Sequence, residues 1–145
     1  MYKKLCKYLA NLNVLNVKLH NIHWNVVGPQ FTSVHNFTEE AYDTLFGYYD
    51  DVAEILKMRG HYPHASLAKY LEATSIKEIE SEDIGVEQAL KTVSDDFDEM
   101  LELAFIIRRE ADEQGDVTLV STLEDQIAYY QKNLWFIKSM LTKKA

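Results

Sequence analysis

A chain of 145 residues with 47% apolar and 26% charged side chains has the length and composition of one globular domain, spanning residues 1–145, with a sizeable core. The formal net charge of −8 disfavours a nucleic-acid-binding role and favours cations as partners. A single cysteine, Cys6, excludes an internal disulfide, and no apolar run approaches the ~18 residues of a membrane span, so a cytoplasmic protein without signal peptide is expected.

Apolar residues at alternating spacings of three and four (Leu5, Tyr8, Leu12, Leu15, Leu19, Ile22, Val26) predict a first long helix that stops at Gly28-Pro29. A second is predicted from a cap at Thr32 or Ser33, with Val34, Phe37, Ala41, Leu45, Val52, Ile55 and Leu56 as its stripe, ending at Gly60. Ser66 to Glu72 reads as a short serine-capped helix, followed by a polar loop. A third long helix is expected from near Gly85, striped by Leu90, Val93, Phe97, Met100, Ala104 and Ile107 and broken by Gly115. A fourth runs through Leu123, Ile127, Tyr130, Leu134 and Ile137. The first and third links are short and predict antiparallel neighbours, whereas His61 to Gly85 is a long crossing. An all-α, ferritin-like four-helix bundle fits that connectivity, with a short helix in the crossover between helices two and three and no fifth C-terminal helix. Two helical hairpins joined by a linker is the alternative.

Glu-x-x-His, which many di-iron bundles carry, is absent. Two other pairs stand one helical turn apart on helix two: His35 with Glu39, and Asp50 with Glu54. Imidazole and carboxylate suit divalent iron. Fifteen residues separate His35 from Asp50, roughly 22 Å of helix at 1.5 Å per residue, so one chain cannot bring both pairs to one metal. Eleven steps from Glu39 to Asp50 return to within roughly 20° of the same face at about 100° per residue. Two clusters on one face, far apart along the axis, suit an antiparallel two-fold dimer with two identical sites, and His23 can join the His35 side. The plainer readings are a surface or core histidine, a solvated acidic face and Trp24 as a core anchor.

The run from Leu19 to Gly60, with His23-Trp24, Val-x-Gly-x-x-Phe, His35 and Asp50-Asp-x-Ala-Glu54 in order, strongly resembles the Dps proteins, also called mini-ferritins, and the likeness spans nearly the whole chain. The resemblance implies a dodecameric shell that oxidises Fe(II), with hydrogen peroxide preferred over dioxygen, and stores ferric mineral in protection against oxidative stress. It implies His23 and His35 from one chain and Asp50 and Glu54 from its partner, with Glu39 in support and Trp24 beside the centre. At most two irons per inter-subunit site, and no haem, are expected. Asp112 and Asp116 remain from the family's pore acids, while Val117 and Ser121 stand at positions that are commonly acidic. Lysines gather only at the termini (Lys3, Lys4, Lys7, Lys143, Lys144), with no lysine-rich arm, so DNA binding is expected to be absent or weak. A nucleoid protectant with iron storage secondary is the alternative function.

Overall fold

The three-four periodicity of the first segment winds Tyr2–Asn25 into α1, in a computed structural model that describes residues 1–144. Leu12, Leu15, Leu19 and Ile22 are fully buried, and each such side chain contributes about 1.5–3 kcal/mol. The chain then forms β1 (Val26–Val27), α2 (Phe31–Met58), α3 (Leu67–Ala73), β2 (Ile84–Gly85), α4 (Val86–Glu113) and α5 (Val117–Leu141). α1 packs along α2 and α4 along α5, as the two short links require, and α1 also meets α3 and α4 across the core. The hairpins thus close into one bundle, which removes the reading of two hairpins on a linker.

The expected absence of a fifth, C-terminal helix is corrected. The described residues form five helices, and the fifth, α5, is the C-terminal one. The crossover segment α3 is a helix in its own right, capped by the Ser66 hydroxyl, which accepts from the Lys69 amide at 3.3 Å. It takes third place in the series, so the last bundle helix becomes the fifth.

Helix two also begins earlier than the sequence suggests. Its cap residue is Gln30, with no side-chain cap bond, because the turn is held from elsewhere. β1 and β2 pair in parallel, Val26 with Ile84 and Val27 with Gly85, and tie the turn between α1 and α2 to the end of the crossover. Gly28 completes this junction at φ +132°, where a Cβ would meet Val86 Cγ2 at 3.3 Å. Gly28→Ala is therefore expected to cost about 1–3 kcal/mol. Thermal unfolding at fixed protein concentration should show a midpoint about 2–10 °C lower.

Candidate metal centre

His23 lies in the last turn of α1 and His35 in the second turn of α2, brought together by the five-residue reversal between the helices. Their rings stack, with centroids 3.6 Å apart and planes 15° off parallel. His23 Nδ1 is 2.7 Å from the His35 carbonyl oxygen, and His35 Nδ1 is 2.8 Å from the His23 carbonyl oxygen. A carbonyl can only accept, so each Nδ1 carries a proton, and in the neutral form of each ring the lone pair is the one on Nε2. The His23 carbonyl is available because it lies in the last turn of α1, where the helix leaves acceptors unused. Local chain reversal thus gives two imidazoles of fixed tautomer, the form in which histidine ligates a metal.

Around this pair stand residues that the sequence reading passed over. Thr38 is fully buried, its Oγ1 3.3 Å from His23 Nδ1. The Tyr42 ring meets His23 edge-on at 5.3 Å and stacks on His20 at 3.7 Å. Partial burial, then the carboxylates of Glu39 and Asp43, hold the Tyr42 phenol above its usual range, so it stays protonated. The one signal for Thr38 was its place as a polar residue on the buried stripe of Val34, Ala41 and Leu45. Trp24 is no core anchor: it is 70% exposed, 5.6 Å from the His20 ring.

The carboxylates are elsewhere. Glu39 is exposed one turn beyond His35, while Asp50 and Glu54 are exposed farther along the same unbroken helix. With α2 continuous from Phe31 to Met58, His35 and Asp50 stand roughly 22 Å apart along its axis. Among the described residues, no group of three or more His, Cys, Asp or Glu side chains is close enough to hold a metal ion. A single chain offers two histidines at one place and two carboxylates at another.

Asp116 is committed to structure. It forms a two-point ion pair with Arg59, Nε to Oδ2 being 3.0 Å, and caps α5 through the Leu119 amide at 3.2 Å. Those bonds, Arg59 foremost, hold its carboxyl below the usual carboxylate range. Its contribution to stability is then complete above the unfolded value near 3.9 and is lost as pH falls through the lower folded value. Asp116→Asn should flatten this part of the acid-unfolding curve. It should cost only about 1 kcal/mol at neutral pH, since Arg59 is 38% exposed and solvent screens the pair. Asp112, by contrast, is exposed, 3.8 Å from Arg108.

A family model described as a ferritin-like domain matches residues 2–145. A DNA protection during starvation protein of Brevibacillus brevis is 38% identical over 137 residues, covering 94% of this chain and 91% of its own. The chain belongs to the Dps family of ferritin-like proteins. The solved structure of antigen TpF1 from Treponema pallidum superposes with a TM-score of 0.95 at 31% identity, over 97% of this chain and 90% of that one. A Dps protein of Vibrio cholerae O1, described as a member of a broad superfamily of ferritin-like diiron-carboxylate proteins, superposes at 0.91 with 29% identity, over 96% and 87%. No helix in the described part of this Dps chain is long and apolar enough to cross a membrane.

Proposed function

We propose that this Dps chain is a ferroxidase and iron-storage subunit whose metal centre forms between two-fold-related copies. The observation that carries the reading is the reciprocal hydrogen bonding of the stacked His23 and His35 rings through Nδ1, which leaves both Nε2 atoms free of that bonding while no third His, Cys, Asp or Glu side chain of the described residues is in reach. An antiparallel neighbour would bring the partner subunit's Asp50 and the partner subunit's Glu54 to them, with Glu39 in support. Two imidazoles and two or three carboxylates suit the hard-to-borderline iron ions in both oxidation states. The relative described as a diiron-carboxylate protein supports iron as the metal. Exposed Val17, Phe46, Met58 and Trp135 support burial against further copies, and a dodecamer is the assembly proposed.

Iron here is substrate and cargo. Two Fe(II) each give up one electron. One hydrogen peroxide accepts both, its O–O bond breaks, and two protons from solvent complete two waters. Pairing the electrons in this way avoids release of a hydroxyl radical. The ferric product hydrolyses to mineral inside the shell. Twelve chains at −8 carry a formal charge of about −96, which draws Fe(II) toward the assembly. A cytoplasmic site of action fits this chemistry.

Anaerobic loading with Fe(II) followed by peroxide should give rapid oxidation at about two irons per peroxide. Sedimentation should show a species far larger than a dimer. A stable dimer that oxidises iron no faster than buffer contradicts the proposal. The nucleoid-protectant reading has the name of the Brevibacillus brevis relative in its favour and the acidic balance against it. A gel shift at about 50 mM salt, where phosphate contacts are strong, separates the two.

A further inference from the structure

Four tyrosines, Tyr48, Tyr129, Tyr130 and Tyr8, follow one another in contact from the α2–α5 face into the core. The Tyr129 ring of α5 meets Tyr48 of α2 edge-on at 5.7 Å and Tyr130 at 6.1 Å. Tyr8 Oη donates to Gln126 Oε1 at 2.6 Å and lies 2.7 Å from Tyr130 Oη, so Tyr130 donates to Tyr8. The phenols differ in what can take a proton from them. Tyr8 and Tyr130 are fully buried, and their hydroxyls meet only each other and an amide oxygen, which is no base. Tyr129 is half-buried and donates to the Glu40 carboxylate, Oη to Oε2 being 3.1 Å. Among the described residues it is the one phenol whose hydroxyl bonds a carboxylate. Glu40 is exposed, so a proton that it takes can pass on to water. In the resting protein burial, then the Glu40 charge, keep the proton on Tyr129. A phenol that loses an electron becomes a strong acid, and its radical persists only if the proton leaves with the electron. Of the four, Tyr129 has a base in hydrogen-bond contact for that step.

We propose that Tyr129, with Glu40 as its proton acceptor, is a sink for the one-electron oxidant formed when a lone Fe(II) meets peroxide. This rests on the ferroxidase reading for the source of the oxidant. Two irons at one centre deliver two electrons to one peroxide. A lone Fe(II) delivers one, and the O–O bond breaks to leave Fe(III), hydroxide and a hydroxyl radical. Tyr129 gives the missing electron. The hydroxyl radical becomes hydroxide, the phenol proton moves to Glu40 and on to solvent, and the two combine as water. A neutral tyrosyl radical is left in place of random damage to the chain. The ring contact with Tyr48 lets a hole formed there move to Tyr129. It goes no deeper, because Tyr130 and Tyr8 cannot shed their protons.

The test uses the full-length His35→Ala chain in its native assembly, where irons are not paired. It receives substoichiometric Fe(II), then excess peroxide. Freeze-quench EPR reads the radical, and ring-deuterated tyrosine, which narrows a tyrosyl signal, identifies it. Tyr129→Phe keeps the ring and its packing but has no phenol. Glu40→Gln keeps an acceptor oxygen that cannot hold the proton. His35→Ala should give a tyrosyl signal stronger than that of wild type. Adding Tyr129→Phe should abolish most of it, and adding Glu40→Gln should weaken it, with assembly size unchanged. Absence of a tyrosyl signal from His35→Ala overturns the proposal, as does a signal that Tyr129→Phe leaves mostly intact. A signal that Glu40→Gln leaves unchanged also overturns it, because the phenol would then not depend on the carboxylate. A signal equally strong in wild type and His35→Ala, and lost from both with Tyr129→Phe, upholds Tyr129 as the sink and defeats the metal-centre reading instead.

Discussion

His35→Ala and Asp50→Ala should each slow peroxide-driven Fe(II) oxidation by about 100-fold or more. Loss of an outer-sphere partner alone costs about 10–100-fold in metal-site function, so loss of a ligand belongs at or beyond the upper end. A 100-fold loss corresponds to about 2.7 kcal/mol at 1.36 kcal/mol per decade. The double variant should be scarcely slower than either single one, because ligands of one centre act as a unit. Folding is not expected to confound the comparison. Asp50 is exposed on α2, and His35 gives up one hydrogen bond at a partly exposed position. Helix content and assembly size should match wild type, and stopped-flow oxidation then isolates the chemistry. A double variant that oxidises iron at the wild-type rate removes both residues from the centre.

The largest stability effect is expected at a pair with no part in that chemistry. Lys18 of α1 and Asp96 of α4 meet inside the bundle, Nζ to Oδ2 being 2.7 Å, with side chains 5% and 11% exposed. The contact is close, yet Oδ2 has no well-directed hydrogen-bond donor. Burial pushes the Asp96 carboxyl up, and Lys18 draws it back by less. Desolvation thus outweighs attraction. The sign follows: stability from Asp96 is complete below its unfolded value near 3.9 and is lost as pH rises through the raised folded value, opposite to Asp116. Asp96→Ala leaves an ammonium buried without its counter-charge and should cost about 3–5 kcal/mol. Replacing both, Lys18→Met with Asp96→Leu, should be neutral or stabilise by about 1–4 kcal/mol. Thermal midpoints of the three proteins at one concentration decide the matter. Equal losses in the single and double variants would show that the pair holds the bundle by attraction after all.

The long helices were legible because their apolar stripes are all but unbroken: Leu5 to Ile22 in α1 and Val93 to Ile107 in α4 recur at helical spacing and are buried. The serine cap of α3 was legible from Ser66 alone. What escaped is what depends on distant partners. β1 and β2 are two residues each, too short to leave a period-two pattern, and their pairing joins positions 58 apart. Gln30 caps α2 where Thr32 or Ser33 was expected, because β1 and the Gly28 turn set the entry of the chain. Helix numbering failed for a simpler reason: seven residues of crossover make a complete helix, so α5 is the fifth. At the site, His23 and His35 were readable as neighbours across a Gly-Pro turn. Their shared carbonyls and Thr38 were not, since sequence shows neither backbone direction nor which way a ring faces. Lys18 and Asp96 were marked only faintly, as charges on otherwise apolar faces.

The claim that two chains build each centre has a direct test in subunit mixing. A His35→Ala chain and an Asp50→Ala chain, each inactive alone, are dissociated, mixed in equal amounts and reassembled. In a mixed dimer one site receives both defects and the other receives neither. With random pairing, half the dimers are mixed, and about a quarter of the wild-type sites return. Recovery of about a quarter of the wild-type oxidation rate is the predicted result. Reassembled shells that stay as inactive as either parent, with mixed composition confirmed by mass spectrometry, would contradict it.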